Sequence, residues 1–199
     1  MRNIIIGAGG HARSLIPLVI QNLGLDTCVA DENFSVKEEI YPGIFLDRQV
    51  PIETINKNII LAIGDSLKRK SLYERFNVYK PNLVHELSFI EESAILGESN
   101  QIFGNVIINS LAKINDNNII NTGSILEHEV EVGSHNHISV GANICGRVKI
   151  GDNCFIGAGS TIIDGIKVCD DVIIGANSVV IKDITEPGTY IGNPTRKIK

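Results

Sequence analysis

The chain has 199 residues, 43% hydrophobic and 21% charged, a balance that allows a soluble globular protein with one large or two small cores. A net charge of −5 speaks against a nucleic-acid or anionic-membrane partner, since both require a basic surface. The opening MRNIII is too short an apolar run for a signal peptide and no segment approaches membrane-spanning length, so a cytoplasmic protein is expected.

Residues 1–80 alternate strand-like and helix-like patterns. The apolar run NIII (3–6) leads into GAGGHA (7–12), and ARSLIPLVIQNLG (12–24) then places Leu15, Leu18, Val19 and Leu23 at helical spacing. Gly24 is the expected C-cap, and Pro17 fits best in the first turns, where its missing N–H costs least. TCVAD (27–31) and NIILAIG (58–64) read as further strands, and SLKRKSLYERF (66–76) as a helix. Strands alternating with helices predict a small α/β, Rossmann-like unit with a parallel sheet.

GAGGHA has the form G-x-G-x-x-A between a strand and a helix, where backbone N–H groups can cradle a diphosphate. Asp31 ends the second strand about twenty residues on, as in dinucleotide-binding folds. Alone this would suggest NAD, but the unit is short and the rest of the chain offers no hydride-acceptor site.

Residues 81–199 follow a different period. From Leu96 to Val180 every sixth residue is Leu, Ile or Val, and Ile90 and Val84 extend the series backward. Neither a period of 3.6 nor one of two explains this; a parallel β-helix does, each hexapeptide being one short strand and one turn. Three hexapeptides make a triangular coil of about eighteen residues, and about five coils are expected. Two residues before the aliphatic lie Ala94, Asn100, Ala112, Ser124, Asn136, Ala142, Cys154, Ser160 and Ser178, fit for a crowded inward corner. Gly97, Gly133, Gly151, Gly157 and Gly175 follow the aliphatic, where a turn is expected.

The stretch SILEHEVEVGSHNHISVG (124–141) holds three of the five histidines. His128 and His137 occupy neither the aliphatic column nor the small inward position, so both should face outward, as substrate-accessible groups or as solvated surface histidines. His135 and His137 alternate along a strand and could chelate a metal, but the spacing supplies no third ligand, and no metal is expected. Glu127 and Glu131 read as surface charges; His135 has no assigned role. Cys28, Cys145, Cys154 and Cys169 form no C-x-x-C pair and read as small reduced thiols.

RVKIGDNCFIGAGSTIIDGIKVCDDVIIGANSVV (147–180), followed by YIGNPTRKI, resembles the left-handed β-helix acyltransferases. Together with IIIGAGGHA, AIGD (62–65) and EHE (127–129), nearly the whole chain resembles the sialic acid O-acetyltransferase and nucleotide-aminosugar N-acetyltransferase family, which includes the enzymes of bacillosamine and perosamine synthesis. The resemblance implies a left-handed prism assembled into homotrimers, with acetyl-CoA between neighbouring prisms and a nucleotide-sugar on the N-terminal unit. It also implies catalytic roles for His128 and for Glu129 beside it. His137 would contact the thioester region, the Gly146 N–H would meet the oxyanion, and Gly146, Ala158 and Ala176 would line the coenzyme's path. Gly9, Gly10 and His11 would lie near the diphosphate, Asp31 and Glu32 near the nucleoside, with Gly64 and Arg69 as a third side. Arg196, Lys197 and Lys199 could meet the 3′-phosphate or simply form a solvated basic end.

The chemistry fits. A sugar amine attacking a thioester must lose a proton, and imidazole, with an ordinary pKa of about 6.5, suits that task; a neighbouring carboxylate can hold its tautomer. The reading is acetyl transfer from acetyl-CoA to the 4-amino group of a nucleotide-linked deoxysugar for bacterial surface glycans. O-acetylation of a sialic or related nonulosonic acid is the alternative, and a non-catalytic β-helix scaffold binding a nucleotide is the reading from another class.

Overall fold

The structure is a computed structural model that describes residues 3–31, 38–46, 58–76 and 80–199. It divides into two compact units, Met1–Leu83 and Val84–Lys199.

In the first unit β1 (Asn3–Ile6) lies between β2 (Thr27–Ala30) and β5 (Asn58–Leu61), both parallel to it, with Ile4 opposite Cys28 and Ile59. All four residues of β1 are buried, as an uninterrupted apolar run in a parallel sheet requires. Helix α1 (Gly10–Leu23) buries Ala12, Leu15, Ile16, Leu18 and Val19 and closes at Gly24, whose N–H bonds Ile20 O from a left-handed φ of 85°. Pro17 sits deeper in α1 than expected, on its exposed side, where the carbonyl left without a helical donor can face water. Two short antiparallel strands, β3 (Glu39–Tyr41) and β4 (Ile44–Phe45), were not foreseen. Helix α2 (Ser66–Arg75) starts at Asp65, whose carboxylate accepts the Lys68 N–H at 2.8 Å.

The second unit is the expected prism, a left-handed parallel β-helix. Each strand pairs with the strand eighteen residues on, such as Ile107 with Ile125 and Asn143 with Thr161. Three faces result. Face 1 has six strands, Phe89–Ile90, Ile107–Ile108, Ile125–Leu126, Asn143–Ile144, Thr161–Ile162 and Val179–Val180, one more coil than expected because the repeat already runs at Ile90. Face 2 has five, Ile95–Leu96, Lys113–Ile114, Glu131–Val132, Lys149–Ile150 and Lys167–Val168. Face 3 includes Gln101–Ile102, Ile119–Ile120, His137–Ile138 and Phe155–Ile156 and runs on to Arg196–Lys197.

From Ile102 to Val180 every sixth residue is at most 4% exposed. Each such side chain contributes roughly 1.5–3 kcal/mol by leaving water. The second inward position differs at each corner. Between faces 1 and 2 it widens from Ala112 through Val130 and Val148 to Ile166. Between faces 3 and 1 it narrows from Val106 to Ser124, Ala142, Ser160 and Ser178. Between faces 2 and 3 buried asparagines form a ladder: Asn100 Oδ1 accepts the Asn118 N–H, Asn118 Oδ1 that of Asn136, and Asn136 Oδ1 that of Cys154, at 2.7–2.9 Å.

The turn chemistry corrects one expectation. The left-handed residue of each corner is not the glycine after the aliphatic; it recurs at every sixth residue from Ser99 to Asn177, with φ between 54° and 75°. The glycines after the aliphatic serve close approach. A Cβ on Gly133 would lie 2.2 Å from Asp152 Oδ1, and one on Gly157 would lie 2.5 Å from the Ala176 nitrogen.

Candidate active site

The corner between faces 1 and 2 stacks Ser110, His128, Gly146 and Asp164, one residue per coil. The Glu129 N–H bonds Ser110 O, the Arg147 N–H bonds His128 O, and the Gly165 N–H bonds Gly146 O, each at 2.9 Å. These rungs fix the height of every side chain along the edge.

His128 points outward, its side chain 44% exposed. Its Nδ1 lies 3.2 Å from Glu129 Oε2. Glu129 reaches it from a left-handed backbone, φ 59°, which a glutamate adopts at a cost of order 1 kcal/mol. The carboxylate favours the tautomer with the proton on Nδ1, which leaves the Nε2 lone pair free to accept one. Nε2 and Cε1 lie against Gly146: a Cβ there would stand 2.6 Å from each. The imidazole occupies space that only glycine leaves. Among the described residues the Gly146 N–H has no hydrogen-bond acceptor within the chain.

Two neighbours of this corner were not singled out from the sequence. Asp164 meets Arg147 Nη2 through Oδ1 and faces Gly146 with Oδ2. Its offset of one coil from Gly146 is the signal that could have found it. Cys145 adjoins Gly146; burial pushes its thiol pKa up, and Asp164 and Glu127 add to the shift, so it is protonated at neutral pH and a poor nucleophile. Cys154, inside the prism, is pushed up to about 12 by burial. Glu127 is not merely a surface charge, because its Oε2 accepts the His128 N–H at 3.3 Å. Glu131 on face 2 bonds Lys149 Nζ at 2.9 Å, which holds its carboxyl below the usual range, and Lys113 Nζ stands 3.9 Å away. These three line a cavity of about 640 Å³ with Lys167.

The expected coenzyme contacts divide between two edges. Gly146 shares the His128 corner. His137 lies on the outer side of face 3, half-buried, its Nε2 3.3 Å from Asn121 Nδ2 and its ring edge-on to Phe155 at 5.1 Å. Ala158 and Ala176 stack at the corner between faces 3 and 1, the Asn177 N–H bonding Ala158 O. Face 1 separates the two edges. His135 is buried in a corner, its Nδ1 2.8 Å from Asn117 Nδ2, and belongs to the framework. In the tail Lys197 is engaged by Glu186 at 2.9 Å, while Arg196 and Lys199 are exposed.

In the first unit the loops after β1 and β5 meet at the carboxyl ends of the strands. Strand order reverses between β1 and β5, the place where open α/β sheets bind ligands. Gly7 is required there: its φ is 107°, and a Cβ would lie 2.7 Å from Ala62 O. Gly9 and Gly10 are exposed at the start of α1 and a Cβ on either would meet nothing, so packing does not demand glycine at them. Asp31 Oδ2 accepts the Ala8 N–H at 2.8 Å and so shapes this loop. His11 is half-buried in the first turn of α1, and Gly64 is exposed on the opposite loop. Glu32 lies outside the described residues. Arg69 is the exception to the expected set. Its side chain is fully buried, Nη1 donating to Ile63 O at 3.0 Å and Gly64 O at 3.3 Å. Burial lowers its pKa to about 10, partly countered by Asp65, and it stays a cation. It holds the loop from within and does not present itself to a ligand.

The PglD N-terminal domain family matches residues 3–76, and the hexapeptide repeat of succinyl-transferase matches residues 147–182. GDP-perosamine N-acetyltransferase from Caulobacter crescentus, solved as a histidine-to-alanine variant with CoA and GDP-perosamine, is similar over 100% of this chain and 97% of its own, with 26% identity and a TM-score of 0.90. The chain has the fold of the left-handed β-helix acyltransferases. The acetyltransferase domain of PglB from Neisseria gonorrhoeae FA1090, with acetyl coenzyme A, shares that fold at 24% identity, covering 99% of this chain and 98% of its own with a TM-score of 0.88. WeeI from Acinetobacter baumannii AYE shares it at 20% identity and a TM-score of 0.66, with 100% of each chain covered. No curated protein matches the chain. Among the described residues no helix is long and apolar enough to cross a membrane.

Proposed function

We propose that the chain is an acetyl-CoA-dependent N-acetyltransferase of the 4-amino group of a nucleotide-linked amino-deoxysugar, a cytoplasmic homotrimer serving bacterial surface-glycan synthesis. The observation that carries this is the His128 imidazole, held at Nδ1 by Glu129 and seated with Nε2 against Gly146. The similar Caulobacter enzyme, crystallised with CoA and GDP-perosamine, supports the two substrates.

In this reaction His128 Nε2 takes a proton from the attacking nitrogen, and Glu129 stabilises the imidazolium that forms. The Gly146 N–H donates to the carbonyl oxygen as negative charge develops on it. His128 then returns the proton to the departing sulfur, so no acyl-enzyme forms and the cysteines take no part. In the first unit the open start of α1 at Gly9, Gly10 and His11 would hold the diphosphate, with Asp31 and Gly64 around the rest of the nucleotide.

The two edges support the trimer. The outward residues of face 1 are Phe89, Ile107, Ile125, Asn143, Thr161 and Val179, none of them charged, whereas face 2 presents Lys113, Glu131, Lys149 and Lys167. Packing face 1 around a threefold axis would bring His137, Ala158 and Ala176 of one copy toward His128 and Gly146 of the next, with acetyl-CoA between them.

The test is an acetyl-transfer assay following free CoA thiol over UDP-, dTDP- and GDP-linked 4-amino sugars and free sialic acid. Wild-type protein should turn over a nucleotide amino sugar, and His128→Ala should remain trimeric and lose most of the activity. Near wild-type turnover by that variant removes His128 from the mechanism, and transfer to sialic acid alone would make the acceptor a hydroxyl.

A further inference from the structure

Asp164 has no part in the reaction as derived so far, yet its carboxylate faces the same space as the base. It sits one coil from Gly146 on the His128 edge. Its Oδ2 lies 3.0 Å from the point a Gly146 Cβ would occupy, and His128 Nε2 lies 2.6 Å from that point. The side chain is half-exposed and tied at Oδ1 to Arg147, leaving Oδ2 turned inward along the edge. The charged groups around this space are Glu127 and Glu129 from the coil of His128 and Arg147 from that of Gly146, with the protonated Cys145 thiol beside them.

Three carboxylates against one guanidinium make an environment for a cation. A sugar amine arrives largely as an ammonium at neutral pH, because alkyl amines titrate well above it; a sugar hydroxyl arrives neutral. We propose that Asp164 receives the acceptor nitrogen as an ammonium and makes the site selective for an amine over a hydroxyl, an inference that rests on the acetyl-transfer reading. The steps balance. The ammonium first releases one proton to solvent, and the freed lone pair forms the C–N bond. His128 Nε2 takes a second proton from nitrogen, the C–S bond breaks, and that proton passes to the sulfur. The products are the amide, CoA thiol and one proton in solution.

The experiment compares wild type with Asp164→Asn, Asp164→Glu and Arg147→Ala, using the nucleotide 4-amino sugar and its 4-hydroxy analogue as acceptors. Asp164→Asn should raise the KM for the amine about 10- to 100-fold, the size of a hydrogen bond to a charged group. Its KM for acetyl-CoA and its trimeric state should not change, and the preference for amine over hydroxyl should fall by the same factor. Asp164→Glu should restore much of that preference, and Arg147→Ala should keep it. A purely structural role would move both acceptors and the coenzyme together, which would overturn the proposal, as would an unchanged amine KM in Asp164→Asn or an equal loss in Arg147→Ala. A wild-type protein that acetylates no amine overturns the acetyl-transfer reading and this inference with it; a working wild type with an indifferent Asp164→Asn overturns the inference alone.

Discussion

Gly146→Ala adds one methyl group at the point where the coil above meets the base. Gly146 does not use a left-handed φ, so alanine fits its backbone, and the loss of unfolded-state freedom alone would stabilise by about 0.4–1 kcal/mol. The methyl would nevertheless stand 2.6 Å from His128 Cε1 and Nε2, and 3.0 Å from Asp164 Oδ2. To regain ordinary contact the ring must withdraw by roughly 1 Å, a displacement that costs a positioned reaction on the order of 10²-fold. The ring is half-exposed and can move without opening the core, so the melting temperature should stay within about 4 °C of wild type. The Gly146 N–H remains, so the variant tests the seating of the base separately from the oxyanion donor. The assay is steady-state release of CoA thiol, with thermal unfolding measured on the same preparation. A kcat near wild type in a folded Gly146→Ala would refute the claim that this glycine seats the imidazole.

Asn118→Ala removes the middle rung of the buried ladder, leaving the Asn136 N–H and the Asn115 and Gly133 carbonyls without the bonds Asn118 makes; a cost of about 3 kcal/mol and a fall of about 10 °C in melting temperature are expected by calorimetry. Asp31→Ala should raise the KM for the sugar nucleotide without changing that for acetyl-CoA, and an unchanged KM would place the nucleoside elsewhere. Cys145→Ser should keep most of the activity, and thiol alkylation of the wild-type Cys145 should be slow at pH 7 and quicken only above pH 9, because its raised pKa leaves the thiolate scarce below that; rapid inactivation at pH 7 that Cys145→Ser abolishes would contradict this.

The prism was legible because its constraint is strictly periodic. Each coil puts one aliphatic side chain per face on the axis, so the hexapeptide series could be read before any coordinate was known. The outward direction of His128 and His137 followed from the same count. Arg69 shows the limit: its position after AIGD read as a ligand contact, but the chain turns its guanidinium into the loop, where it bonds two carbonyls. The glycines after the aliphatic read as turn residues, whereas the left-handed corner lies two residues further on and is borne by Ser, Asn, Asp, His, Glu, Arg and Leu as well as Gly. Nine of those fourteen residues are Gly, Asn or Asp, the types that favour left-handed backbone, so composition does mark the position; at Glu129, His135 and Arg147 a backbone hydrogen bond to the previous coil holds a less suited residue there.

By itself the sequence determined the period of the coils, the identity of their aliphatic column, the three parallel strands and two helices of the first unit, and the EHE triplet on an outward edge. These are one-dimensional properties, set by spacing along the chain. Only the tertiary structure decided that Gly146 makes room for His128, that Asp164 shares its space, that asparagines bond one another inside the prism, and that the expected coenzyme contacts fall on two edges of one face. Those relations join residues a full coil or more apart, and their physical cause is the stacking of rungs, which brings such residues within van der Waals or hydrogen-bond reach.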